Sequence, residues 1–183
     1  MSQYNIAVIV GSLRKDSLNS KLAAALAKLA PPGFSFRTVR IDDLPLYNQD
    51  DDGKPAASVT RLRKDVAEAD ALLFLTPEYN RSIPGVLKNA IDHASRPWGR
   101  SVWGGKPAGV LGVSVGAIGT ALAQQHLRNI LAYLDVPVLG QPEVFLQAKE
   151  GLFDADGSIG PDSRAFLQGW TDRYVAWVKK HAA

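Results

Sequence analysis

Short apolar runs alternate with helical patterns from one end of this 183-residue chain to the other. Ile6–Val10 precedes a helical pattern over 18–30, and Phe34–Val39 precedes one over about 56–69. Ala71–Thr76 leads into a helix that starts near Pro84, with the proline in the first turn, and runs to about Ala94. Pro107–Val115 leads into one over 119–134. A short strand is expected at Pro137–Leu139, extended by Glu143–Gln147, before a last helix over 161–181. The run at 71–76 is continuously apolar, as in a strand buried on both faces, and 107–115 reads as another buried strand. Strands separated by helices join by right-handed crossovers into a parallel sheet covered on both sides. The expectation is an α/β fold, a three-layer α/β/α sandwich around a five-stranded parallel sheet. No repeat, low-complexity segment or linker breaks the pattern, so residues 1–183 read as a single domain.

Composition narrows the partners. The 21 basic and 18 acidic side chains leave a net charge of +3 with no long basic block, which disfavours nucleic acid and suits a small anionic ligand. The absence of cysteine excludes disulfides, a cysteine nucleophile and Cys-ligated metals. Asp50-Asp51-Asp52-Gly53 reads as a solvated loop, and no metal is expected. The first residues lack the basic region of a signal peptide, and no apolar stretch reaches membrane-spanning length, so a soluble cytoplasmic protein without a membrane partner is expected.

Ligands of open parallel sheets bind beyond the carboxyl ends of the strands. Three loops fall there, at 11–19, 76–83 and 114–119. The first carries Gly11 but no further glycines at dinucleotide-fingerprint spacing, and no Gly-Lys-Ser/Thr of a P-loop. It offers Ser12, Arg14, Ser17, Asn19 and Ser20 instead, at the start of a helix whose free N–H groups and dipole favour an anion. Such a donor set suits a terminal phosphate monoester, although Ser17 or Asn19 can equally cap the helix. The second loop, Thr76 to Gly85, has two prolines and Tyr79; it can present backbone groups and an aromatic ring to a flat ligand, or be a plain βα turn.

The third loop raises a rival. Gly112-Val113-Ser114-Val115-Gly116 matches the G-x-S-x-G nucleophile elbow of a serine hydrolase, with Ser114 as nucleophile. A triad there needs an acid and then a histidine downstream. His126 has no acidic residue between it and Ser114, and His181 is the third residue from the end, where helices fray. The simpler reading is that the glycines let backbone approach a planar ring.

Taken together, Gly-Ser-Leu-Arg-Lys-x-Ser-x-Asn at 11–19, Pro-Glu-Tyr-Asn-x-Ser-x-Pro-Gly-x-Leu-Lys-Asn-Ala-Ile-Asp at 77–92 and Ser-x-Gly at 114–116 resemble the NADPH-dependent FMN reductase family of the flavodoxin-like superfamily. The likeness is to its bacterial chromate/quinone reductases and azoreductases. It implies a flavodoxin-like fold with bound FMN. Ser12, Arg14, Ser17, Asn19 and Ser20 would surround the phosphate. Pro77, Glu78, Tyr79 and Asn80 would hold the isoalloxazine, largely through backbone, and Ser114 and Gly116 would bound its far edge. The implied activity is two-electron ping-pong transfer from NADH or NADPH to quinones, with chromate or azo compounds as further acceptors, and no catalytic side chain. Arg81 stands where other members carry Tyr or a similar residue; it bears on nucleotide binding or subunit packing. Arg96 and Arg100 are candidates for the nucleotide's phosphates or for plain surface. A homodimer or homotetramer is implied, with the helices at 84–94 and 119–134 in the interface and Arg128 and Glu143 as candidate interface charges. The other class of function to weigh is a flavodoxin-type electron carrier, but such carriers are usually acidic and this chain is basic.

Overall fold

The computed structural model describes residues 3–182. The strands are β1 (Tyr4–Val10), β2 (Phe34–Thr38), β3 (Ala71–Leu75), β4 (Ala108–Ser114) and β5 (Phe145–Gln147). The helices are α1 (Leu18–Leu29), α2 (Ala57–Ala67), α3 (Gly85–Ala94), α4 (Ala121–Tyr133) and α5 (Pro161–His181). The sheet runs β2-β1-β3-β4-β5 with every neighbouring pair parallel. This is the flavodoxin-like doubly wound order, and it reverses between β1 and β3.

Alternation along the strands assigns the helices to the two faces. Ile6, Val8, Leu73 and Leu75 point to one face and pack on Leu22 and Leu26 of α1 and Leu167, Trp170 and Tyr174 of α5. Ala7, Ile9, Leu72 and Phe74 point to the other and meet Leu62 of α2, Leu87 and Ile91 of α3, and Leu127 and Leu131 of α4. Covered on both faces, β3 is buried at all five residues, which is why it reads as an unbroken apolar run. Of the apolar stripe on α4, Leu127 and Leu131 enter this core, while Ile130 and Leu134 pack partly buried against it.

Four details differ from the sequence reading. Pro137–Leu139 is not a strand: Val138 makes a lone bridge to Ala108, and the fifth strand is Phe145–Gln147, paired with Gly112–Ser114. Gly140 and Pro142 break the ladder between the two segments, because proline has no N–H to donate. Second, Pro84 is the N-cap of α3 rather than a first-turn residue, with an extended ψ of 145°. Third, α4 begins at Ala121, after Gly119, which has a φ of +67° and packs so closely on β5 that a Cβ would lie 2.6 Å from the Phe145 carbonyl carbon. Fourth, α5 does not fray before His181; that ring packs 3.9 Å from the ring of Trp177. Among the described residues, no helix is long and apolar enough to cross a membrane.

Gly112 sets how closely β4 approaches the end of β3. A Cβ there would lie 2.2 Å from the Thr76 carbonyl oxygen and 2.3 Å from Thr120 Oγ1. Gly112→Ala is expected to lower stability by about 3 kcal/mol or more, because backbone must move to admit the methyl group. Urea unfolding checks this, and parental stability would contradict it.

Candidate functional site

β1, β3 and β4 end at one edge of the sheet, and the three loops that follow them gather there. Gly11 N donates to Leu75 O at 2.8 Å and fastens the first loop to the end of β3. Beyond it, the amides of Ser12, Leu13, Arg14, Leu18 and Asn19 meet no acceptor among the described residues. They lie at the start of α1, whose first turn holds no acidic residue. Free amides and the positive end of a helix make this loop an anion cradle.

The polar side chains of the first loop divide into two groups. Arg14 and Ser20 are exposed and Ser12 is half-buried, so all three can reach a ligand. Ser17 is buried and caps α1, its Oγ accepting from Ser20 N at 3.2 Å. Asn19 is not placed to offer its side chain to a phosphate. Its Nδ2 donates to Val113 O at 3.0 Å and its Oδ1 accepts from Val113 N at 3.1 Å. The pairing of β3 with β4 ends at Leu75 and Leu111, which leaves Val113 paired only with Leu146 of β5 and without a partner on the β3 side, where Asn19 takes up its N–H and carbonyl.

The second loop is a tight hairpin. Tyr79 and Ser82 exchange two backbone hydrogen bonds of 3.0 Å, and Asn80 and Arg81 between them have φ of 51° and 66°. Positive φ at both central residues is type I′ geometry, which asparagine tolerates and arginine rarely adopts. Pro77 is buried and Tyr79 is exposed at the edge. The Glu78 carboxylate is engaged elsewhere: Oε2 accepts from Leu122 N and Ala123 N, at 3.0 and 3.1 Å. Oε2 is therefore taken, and the backbone and Oε1 of Glu78 are left for a ligand.

In the third loop, Ser114 Oγ donates to the carbonyls of Gly119 at 2.9 Å and Gly116 at 3.3 Å, and residues 115–118 are exposed. Exposed apolar side chains rim all three loops: Leu13 at 51%, Tyr79 at 46%, Val115 at 78% and Ile118 at 50%. An anion cradle beside apolar-rimmed backbone suits a planar ring carrying one phosphate.

Ser114 does not sit in a nucleophile elbow. It ends β4, and positive φ among the described non-glycine residues is confined to Asn80, Arg81 and Asp135. His126 Nδ1 pairs with Ser82 Oγ at 2.9 Å, and His181 ends α5, which runs back to the opposite end of the sheet.

The three arginines are not brought together. Arg81 lies in the second loop. Arg96 and Arg100 follow α3, whose ten residues carry the chain about 15 Å back toward the amino ends of the strands. That segment is built on Arg63 of α2, which donates to the carbonyls of Ala94, Arg96 and Arg100, the last at 2.7 Å. Burial lowers the Arg63 guanidinium from its usual value, against the opposing charge of Asp52. Arg96 itself lies over the Trp98 ring, 5.6 Å from its centroid. The placement was legible in the chain order, since a segment between a helix and the next parallel strand lies at the amino ends. The roles of Glu78 and Arg63 left no local signal, because their partners are 44 and more than 30 residues away. Arg128 and Glu143 pair within the chain, Nε to Oε1 at 3.6 Å.

The sequence model of the NADPH-dependent FMN reductase family matches residues 4–151. The chain is 57% identical over 175 residues to the 2-hydroxy-1,4-benzoquinone reductase of a Burkholderia species, covering 95% of this chain and 96% of that one. It is 49% identical over 185 residues to a quinone reductase of Pseudomonas putida, covering all of both. Its structure superposes with a TM-score of 0.94 on FerB, a flavoenzyme NAD(P)H:(acceptor) oxidoreductase of Paracoccus denitrificans, at 48% identity over 98% of this chain and 100% of that one.

Asn19→Ala is expected to cost about 3 kcal/mol, since it strands a buried donor and a buried acceptor of Val113 together. Asn19→Asp keeps an acceptor for Val113 N but sets a buried carboxylate oxygen against Val113 O, and should cost at least as much. Chemical unfolding of both variants decides it; an alanine variant within about 0.5 kcal/mol of the parent would contradict the tie.

Proposed function

The chain belongs to the NADPH-dependent FMN reductase family, and on that premise we propose that it is an FMN-dependent enzyme that oxidises NADH or NADPH and reduces quinones. The observation that carries this reading is the anion cradle at α1 opening beside the apolar-rimmed second and third loops. The donor set fits FMN. The free amides of the first loop with Ser12, Arg14 and Ser20 would hold the phosphate, while Ser17 and Asn19 hold the loop's frame. Backbone of Pro77, Glu78, Tyr79 and Asn80 would line the ring, and Ser114 and Gly116 would bound its far edge. The chemistry supplied by bound FMN is two-electron transfer between a nicotinamide nucleotide and the acceptor. No side chain needs to act as nucleophile or general base, and Ser114 is left as a loop-ordering hydroxyl. The names of the relatives support a quinone as acceptor.

Finer assignments extend this reading. Residues 1–183 act as a single FMN-binding domain in the cytoplasm, where reduced nicotinamide nucleotides are supplied. The chain works as a homodimer or homotetramer through α3 and α4, where Tyr133 stands 69% exposed beside half-buried Ile130 and Leu134. Arg81 meets the nucleotide at the second loop. Arg96 and Arg100 would reach a nucleotide only across an interface between copies, given where α3 ends.

Two experiments test the reading. The purified protein loaded with FMN should be yellow and should oxidise NADH or NADPH in steady state when 1,4-benzoquinone is supplied; no turnover with either nucleotide would overturn the proposal. Arg14→Ala should weaken FMN by about 10-fold or more and leave riboflavin nearly unchanged, because a charge-assisted bond to phosphate is lost. Equal weakening of both ligands by titration would sink the role of Arg14.

A further inference from the structure

α4 lacks the local cap its sequence position offers. Thr120 is its N-cap residue but makes no side-chain cap bond, and its Oγ1 accepts from Gln124 Nε2 at 2.9 Å instead. The orphan amides of Leu122 and Ala123 are satisfied by one oxygen of Glu78, from 44 and 45 residues earlier in the chain. That carboxylate is well sheltered, its side chain 13% exposed. Its other oxygen lies 3.8 Å from Nη1 of Arg81, whose side chain is 64% exposed and whose contact adds little. The second loop therefore supplies, across the sheet edge, the cap that the third loop fails to supply locally.

We propose that Glu78 is the positioning residue of the ring site. It ties the second loop to the start of α4, so that the walls at 77–80 and 114–116 keep a fixed separation. Its negative charge also offsets the positive end of α4 beside the ring. The proposal rests on the FMN reading above and deepens it.

Two of the helices that begin at this edge, α1 and α4, are thereby made unlike. α1 keeps free amides and no acidic residue in its first turn, whereas α4 has its second and third amides taken by a carboxylate. The same carboxylate makes the ring's surroundings less positive, and so less favourable to electron uptake, than a bare helix start would.

Glu78→Gln and Glu78→Ala separate the two effects. Glutamine keeps an acceptor oxygen toward α4 and loses the charge. It should unfold near the parental temperature and raise the midpoint potential of bound FMN, read by equilibration with a reference dye. Alanine should lower the unfolding temperature of the FMN-free protein and weaken FMN and riboflavin alike by about 10-fold, in contrast to a phosphate contact, which affects FMN alone. A glutamine variant with an unchanged or lower midpoint overturns the electrostatic role. An alanine variant that binds flavin like the parent overturns the positioning role. A parent protein that takes up no FMN fails the proposed function instead. The FMN-free unfolding then decides the tie to α4, and equal unfolding temperatures for the alanine variant and the parent overturn it.

Discussion

Where the strand order reverses, between β1 and β3, the chain leaves the sheet toward α1 on one face and toward α3 on the other. The two loops must part above the sheet, and the crevice between them is the place such folds use for ligands. Everything assigned to the site hangs from that parting. The first loop is fastened to the end of β3 through Gly11, and the third loop closes the crevice beyond β3 because β4 is the next strand.

Three contacts then fix the width of the crevice. Asn19 carries the start of α1 to the main chain of Val113, Gly112 lets β4 approach Thr76 and Thr120, and Glu78 carries the second loop to the start of α4. Each satisfies groups that would otherwise be buried without partners, or relieves a clash that any other residue would cause. The polar side chains at this edge thus do two kinds of work. Arg14, Ser12 and Ser20 are left free for a ligand, while Ser17, Asn19 and the Glu78 carboxylate build the frame that holds the free groups in place.

The fold was legible because hydrophobic burial writes itself into local periodicity. Ala71–Leu75 is buried on both faces and reads as an unbroken apolar run, and Leu127 and Leu131 of α4 keep a helical spacing toward the core. The sheet edge was less legible. The segment at 137–139 has the composition of a strand, and only the pairing of Phe145–Gln147 with β4 shows which segment completes the ladder. At the site, the motifs located the loops but not the direction of their side chains. A short asparagine at a helix start reads the same whether it faces a phosphate or a strand end, and Asn19 faces the strand end. Glu78 in a ligand-facing loop reads as a ligand contact, yet its carboxylate belongs to a helix whose start lies more than forty residues on. Arg96 and Arg100 show the converse: their position after α3 already places them at the far end, whatever their charge suggests.

The most direct test of this account is the crystal structure of the protein with FMN bound. The account predicts the phosphate at the start of α1, within hydrogen-bond distance of the amides of the first loop, Ser12 and Arg14. It predicts the ring between the backbone of Pro77–Asn80 and the third loop at Ser114–Gly116. A phosphate bound anywhere other than the start of α1, or a ring lying outside the crevice between the second and third loops, would contradict it.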